Sequence, residues 1–117
     1  MPNCFQFITI IAFLVFSSCN MKFDKQKWER TDPGFPPEER TKMLHDLTSN
    51  YKLTGIKYSE LISMLGEPDY IDSSALNLSY KIILHYDMID PDYGEYLNFY
   101  YGKDSIVKFF EIHDWKK

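Results

Sequence analysis

The stretch YSELISMLGEPDYIDSSALNLSYKIILHY, from Tyr58 to Tyr86, changes its hydrophobic period partway along. In its first part Leu61, Ile62, Met64 and Leu65 fall on one face of a helix. Gly66 stands where a left-handed cap is wanted, and Pro68 forbids continuation. After Asp69 the period drops to two. Leu78, Tyr80, Ile82, Leu84 and Tyr86 alternate with Ser79, Lys81, Ile83 and His85, which is the pattern of a half-buried strand. A helix that closes sharply and hands over to a strand fixes the class as α+β.

On the N-terminal side, Pro37-Glu38-Glu39 opens an earlier helix, with proline at the first position and acids at the positive end of the dipole. Met43, Leu44, Leu47 and Tyr51 share one face of it, and Asn50 is its stop. On the C-terminal side, Leu97, Phe99 and Tyr101 alternate with Tyr96, Asn98 and Tyr100. A Gly102-Lys103-Asp104 turn leads to a last strand over Ser105 to Ile112, and Tyr70 to Ser73 reads as a short edge strand. The expectation is two N-terminal helices packed on a three- to four-stranded antiparallel sheet, a two-layer sandwich, over residues 37–117. Its expected core is Leu44, Leu47, Leu61, Leu65, Ile82, Leu84, Leu97 and Phe99.

Residues Cys4 to Cys19 read CFQFITIIAFLVFSSC, and the first charged side chain is Lys22. A helix over the apolar run Phe7 to Phe16 rises about 15 Å, half of a hydrocarbon core about 30 Å thick, which suits a signal peptide better than a membrane span. Phe16-Ser17-Ser18-Cys19 resembles the lipobox of bacterial lipoproteins, in which the cysteine is diacylated and becomes the new N-terminus. That resemblance makes residues 1–18 a lipoprotein signal peptide and Cys19 the lipidation site. The cysteine count agrees, because cleavage removes Cys4 and leaves one thiol, which acylation would occupy. Residues 19–36, with Phe23, Trp28 and Phe35 among polar residues and prolines, read as an extended lipidated tether with Trp28 and Phe35 pinned to the domain surface.

Leu53-Thr54-Gly55-Ile56, then Leu61, then Leu65-Gly66-Glu67-Pro68-Asp69, resembles the signature of the SmpA/OmlA (BamE-like) outer-membrane lipoproteins. The run Arg40, Met43, Leu44, Asp46, Leu47 is similar to one found in small lipoproteins of this kind. The resemblance implies the α+β fold, the cell envelope, and a place in an outer-membrane complex facing the periplasm. It also makes inhibition of a partner protein reachable, through the related β-lactamase-inhibitor architecture. Where such chains have Thr or Ser to cap the second helix this one has Lys57, so its capping must differ. Gly55, Gly66 and Pro68 have backbone roles and speak for fold, not activity.

The net charge of −4 over 117 residues, with no basic block, argues against nucleic acid as a partner. Asp87, Asp90, Asp92 and Glu95 read as an acidic loop over 87–95, the one candidate for calcium or a small ligand, although Pro91 and Tyr93 break the twelve-residue calcium-loop pattern. His45, His85 and His113 are scattered without metal-ligand spacing. No nucleophile elbow or phosphate loop is present, so no catalytic residue or cofactor is assigned. The nine tyrosines all lie at or after position 51, more aromatic surface than one covered sheet face can absorb. A three-residue hairpin loop at 102–104 would pair Phe99 with Val107 and Leu97 with Phe109 on the helix side. It would leave Tyr96, Tyr100, Ile106 and Phe110, joined by Lys81, Ile83 and His85, on an open face for a protein partner. The function expected is that of a lipid-anchored, non-enzymatic protein-binding or scaffolding module.

Overall fold

The computed structural model describes residues 20–29 and 35–117. Among these lie three helices, α1 (Lys25–Trp28), α2 (Glu39–Asn50) and α3 (Tyr58–Leu65). Four strands follow, β1 (Tyr70–Asp72), β2 (Asn77–Asp87), β3 (Asp90–Tyr101) and β4 (Val107–Lys116). The strands form one antiparallel sheet in the order β1-β2-β3-β4, so the chain is α+β with its helices N-terminal to the sheet.

The punctuation of α3 works as its residue types require. Gly66 caps the helix at φ 79°, its N–H donating to the Ile62 carbonyl at 2.8 Å. A side chain there would also collide with the Glu29 carboxylate, which lies 2.7 Å from where its Cβ would stand. At the other end the Lys57 N–H donates to Glu60 Oε1 at 2.9 Å. The glutamate three residues into the helix therefore does the capping that Lys57 cannot.

One buried cluster joins helices and sheet. Trp28, Met43, Leu47, Leu53, Leu61 and Leu65 pack with Leu78, Tyr80, Ile82, Leu97, Phe99 and Val107. Of the eight expected core residues, Leu44 and Leu84 are only half-buried. The largest difference from the sequence reading is at the N-terminal side, where residues 20–28 are not an extended tether. The Met21 N–H donates to the Lys42 carbonyl at 2.9 Å and the Phe23 N–H to Asp46 Oδ2 at 2.7 Å. Trp28 is fully buried rather than pinned at the surface. Phe35 is 56% exposed and rests against Tyr86, ring centroids 5.6 Å apart.

Arg40 holds these parts together. It is fully buried, its guanidinium 5.0 Å from the Trp28 ring centroid and 5.8 Å from that of Tyr80. Its Nε donates to the Trp28 carbonyl at 2.8 Å, and Nη1 donates to Asp69 Oδ2 at 2.9 Å and the Lys81 carbonyl at 2.6 Å. Asp69 Oδ2 also accepts the Lys81 N–H at 2.8 Å. The arginine of the first motif and the aspartate that ends the second thus form one ion pair. Tyr80 completes the cluster by donating its hydroxyl to the Gly66 carbonyl at 2.7 Å; burial pushes that hydroxyl above its ordinary titration range.

Candidate functional site: the outer face of the sheet

Strand alternation puts one face of the sheet on the core and turns the other away from it. Residues directly opposite across an antiparallel pair share a face. The pairs Tyr70↔Ser79, Lys81↔Tyr96, Tyr96↔His113, Asn98↔Glu111, Tyr100↔Phe109 and Gly94↔Trp115 therefore lie together on the outer face.

This face carries two aromatic patches. Tyr100 and Phe109 stack at 4.5 Å between centroids and 14° between planes. Tyr70 and Tyr96 lie 5.8 Å apart, with Lys81 Nζ 5.3 Å from the Tyr70 ring centroid. Tyr70 and Phe109 remain half exposed, at 50% and 51%. Between the patches, Ser79 donates to Asn98 Oδ1 at 2.6 Å and Tyr100 donates its hydroxyl to Glu111 Oε2 at 2.7 Å. That bond to Glu111, which favours the protonated phenol, raises the pKa of Tyr100. Trp115 lies over Gly94, where even a methyl group would come within 2.7 Å of the indole nitrogen.

Two of the four residues expected on this surface are there and two are not. Tyr96 and Tyr100 stand on the outer face. Phe110 pairs with Phe99 and packs against the core. Ile106 lies before β4, in a bridge to Lys57. The cause is a bulge: Tyr101 pairs with Val107 but Tyr100 with Phe109, so Lys108 is the extra residue and parity flips after it. Phe99 faces Phe110 rather than Val107, and Leu97 faces Ile112 rather than Phe109. Ser105, at φ 64°, belongs to the turn that sets this up. A second irregularity between Lys81 and Ile83 turns Ile83 to the core side and pairs Leu84 with Gly94 on the outer face. Of the three residues expected to join the open face, Lys81 does so. His85 pairs with Tyr93, on the side of Ile83.

The acidic stretch is not a loop. Asp87 ends β2, Met88 and Ile89 make a two-residue turn, and Asp90 to Glu95 belong to β3. Its carboxylates are accordingly spread over a hairpin. Asp92 accepts from or shares a proton with His85 Nδ1 at 2.6 Å, a contact that lowers its pKa. Glu95 sits across from Asp114, where burial first and then the hydrogen bond and charge of Asp114 raise its pKa. These two, with Ile83, Tyr93 and Lys116, line a depression of about 500 Å³ near the hairpin end. Among the described residues no group of three or more His, Cys, Asp and Glu is placed to hold a metal ion. Among them, too, no helix is long and apolar enough to cross a membrane. Cys19, the expected lipidation site, lies outside the described residues.

The chain matches no family model, no curated protein and no solved structure.

Proposed function

We propose that the protein is a lipid-anchored, non-enzymatic envelope module that binds a protein partner through the outer face of its sheet. In this reading the helices form one layer over the core side of the sheet, and the BamE-like motif marks a relative of the outer-membrane lipoproteins, facing the periplasm. The observation that carries the reading is the paired aromatic surface of Tyr70, Tyr96, Tyr100 and Phe109, held turned away from a complete core. Aromatic rings with polar tips, flanked by Lys81 and Glu111, are the composition of protein interfaces and bring little that could activate a nucleophile. The apolar run ending in Ser17-Ser18-Cys19 supports the anchor.

Two experiments test it. Mass spectrometry of the mature N-terminal peptide should find a diacylglyceryl Cys19; a free thiol there, or a retained Met1, refutes the anchor. A photo-crosslinking side chain at Phe109 in intact cells should give a discrete adduct with an envelope protein other than a second copy of this chain. One placed at exposed Thr54 should not.

A further inference from the structure

β4 is an edge of the sheet, with no described strand on its outer side. The direction of its free backbone groups follows from one bond: the Lys117 N–H donates to the Asp92 carbonyl at 2.8 Å. The register is unbroken from Tyr93↔Lys116 to Tyr100↔Phe109. Hydrogen-bonded and non-hydrogen-bonded pairs alternate in an antiparallel ladder. Trp115, His113 and Glu111 therefore bond inward to β3, while Phe110, Ile112, Asp114 and Lys116 turn their N–H and C=O groups outward. The start of the strand confirms the parity after the bulge is counted. Val107 points outward and is satisfied there, donating to the Ile56 carbonyl at 2.9 Å and accepting the Gly55 N–H at 2.8 Å. Beyond Lys108 no described residue gives such cover.

From Phe109 to Trp115 the open edge has no proline and no lysine; the bulge at Lys108 stands before it, and its charged residues, Glu111 and Asp114, are both acidic. Two of its large apolar residues, Phe109 and Ile112, are 51% and 45% exposed. It is also complementary to itself. We infer that β4 pairs antiparallel with β4 of a second copy about a two-fold axis at Ile112, merging two sheets into one of eight strands. In that register Ile112 meets Ile112, Glu111 meets His113, and Phe109 meets Trp115. Outward groups meet outward groups at Ile112 and at Phe110 with Asp114. Moving the axis to residue 111 sets Glu111 against Glu111, and moving it to 113 sets His113 against His113, both of which cost stability. Glu111 can serve two partners, because only its Oε2 is engaged by Tyr100. The outer faces of the two copies become continuous across the join. A strand-edge contact of this size lies at the weak, transient end of protein interfaces. The inference goes beyond the proposed binding function and does not depend on it.

The test uses the full chain and oxidative cross-linking. Ile112→Cys puts two thiols on residues about 5.5 Å apart at Cα, within disulfide reach. It should cross-link at least about tenfold more than Met88→Cys, since a register-held pair works at millimolar effective concentration. Phe109→Cys mixed with Trp115→Cys should give the heterodimer in excess of either homodimer. The unsubstituted chain under the same oxidant reports any contribution of Cys4 or Cys19. Light scattering of that chain from about 1 µM to 1 mM should show a monomer–dimer transition, which Ile112→Lys abolishes with its melting temperature unchanged. A chain that stays monomeric across that range overturns the inference. So does cross-linking at Ile112 no better than at Met88, or a 109–109 homodimer as abundant as the mixed pair.

Discussion

The two ends of the sheet are built on opposite plans. At the helix end, β2 alternates strictly between half-buried and buried from Asn77 to Ile82, and every second side chain enters the core. From Ile83 onward the alternation is gone, and β2 ends in three exposed residues. There Tyr86 and Tyr93 are 38% and 40% exposed, and Met88 and Ile89 are 92% and 86% exposed. The helix end even encloses a charge, Arg40, by surrounding it with rings and carbonyls. The hairpin end leaves Asp87 and Asp90 exposed and places a methionine at φ 63° in its turn. Stability is concentrated at the helix end, where the sheet buries one face in the core and carries the paired rings of Tyr100 and Phe109 on the other, and the hairpin end packs far less.

That contrast can be broken most violently at Arg40. Arg40→Ala leaves Asp69 buried without its cation, and the expected loss is about 3–5 kcal/mol by chemical denaturation. Trp28→Ala should cost a similar amount, about 3–5 kcal/mol, because residues 20–28 are part of the core. A loss below about 0.5 kcal/mol, the range of a surface substitution, would restore the free tether. At the hairpin end effects are expected to be small or favourable. Met88→Asn replaces a side chain that tolerates left-handed backbone poorly with one that tolerates it well, and should stabilise by about 1 kcal/mol.

Smaller still is a pH effect at Glu95. Its pKa is raised in the fold, so the fold favours the protonated form. The contribution is complete below the unfolded-state pKa and is lost as pH rises through the folded one. Glu95→Gln should therefore flatten the stability profile between acid and neutral pH and leave the variant the more stable at neutrality. A profile unchanged by the substitution would mean that the fold does not raise the Glu95 pKa.

The helix end was legible in the sequence because its signals are local. Pro37, Gly66 and Pro68 bound the two longer helices, and the spacing of Met43, Leu47, Leu61 and Leu65 finds the buried faces. What could not be read depends on distant partners or on a shift of one residue. A four-residue helix has no period, and Trp28 is buried because Arg40 and Tyr80 receive it. Phe109 and Phe110 are identical neighbours, so no pattern says which faces inward. The bulge at Lys108 decides it, which is why the outward facing of Tyr96 and Tyr100 was legible and the inward facing of Phe110 was not. Met88-Ile89 lacks the usual turn residues, and Pro91 and Gly94 imitate a loop where the structure has a strand.

If the outer face binds while the core face folds, the double variant Tyr96→Ser with Tyr100→Ser separates the two roles most directly. Thermal melting and in-cell cross-linking from Phe109 should be read on the same full chain. The melting temperature should stay within a few degrees and the cross-linked adduct should disappear. An adduct of undiminished yield, or a domain that unfolds on losing these two rings, would contradict that division of labour.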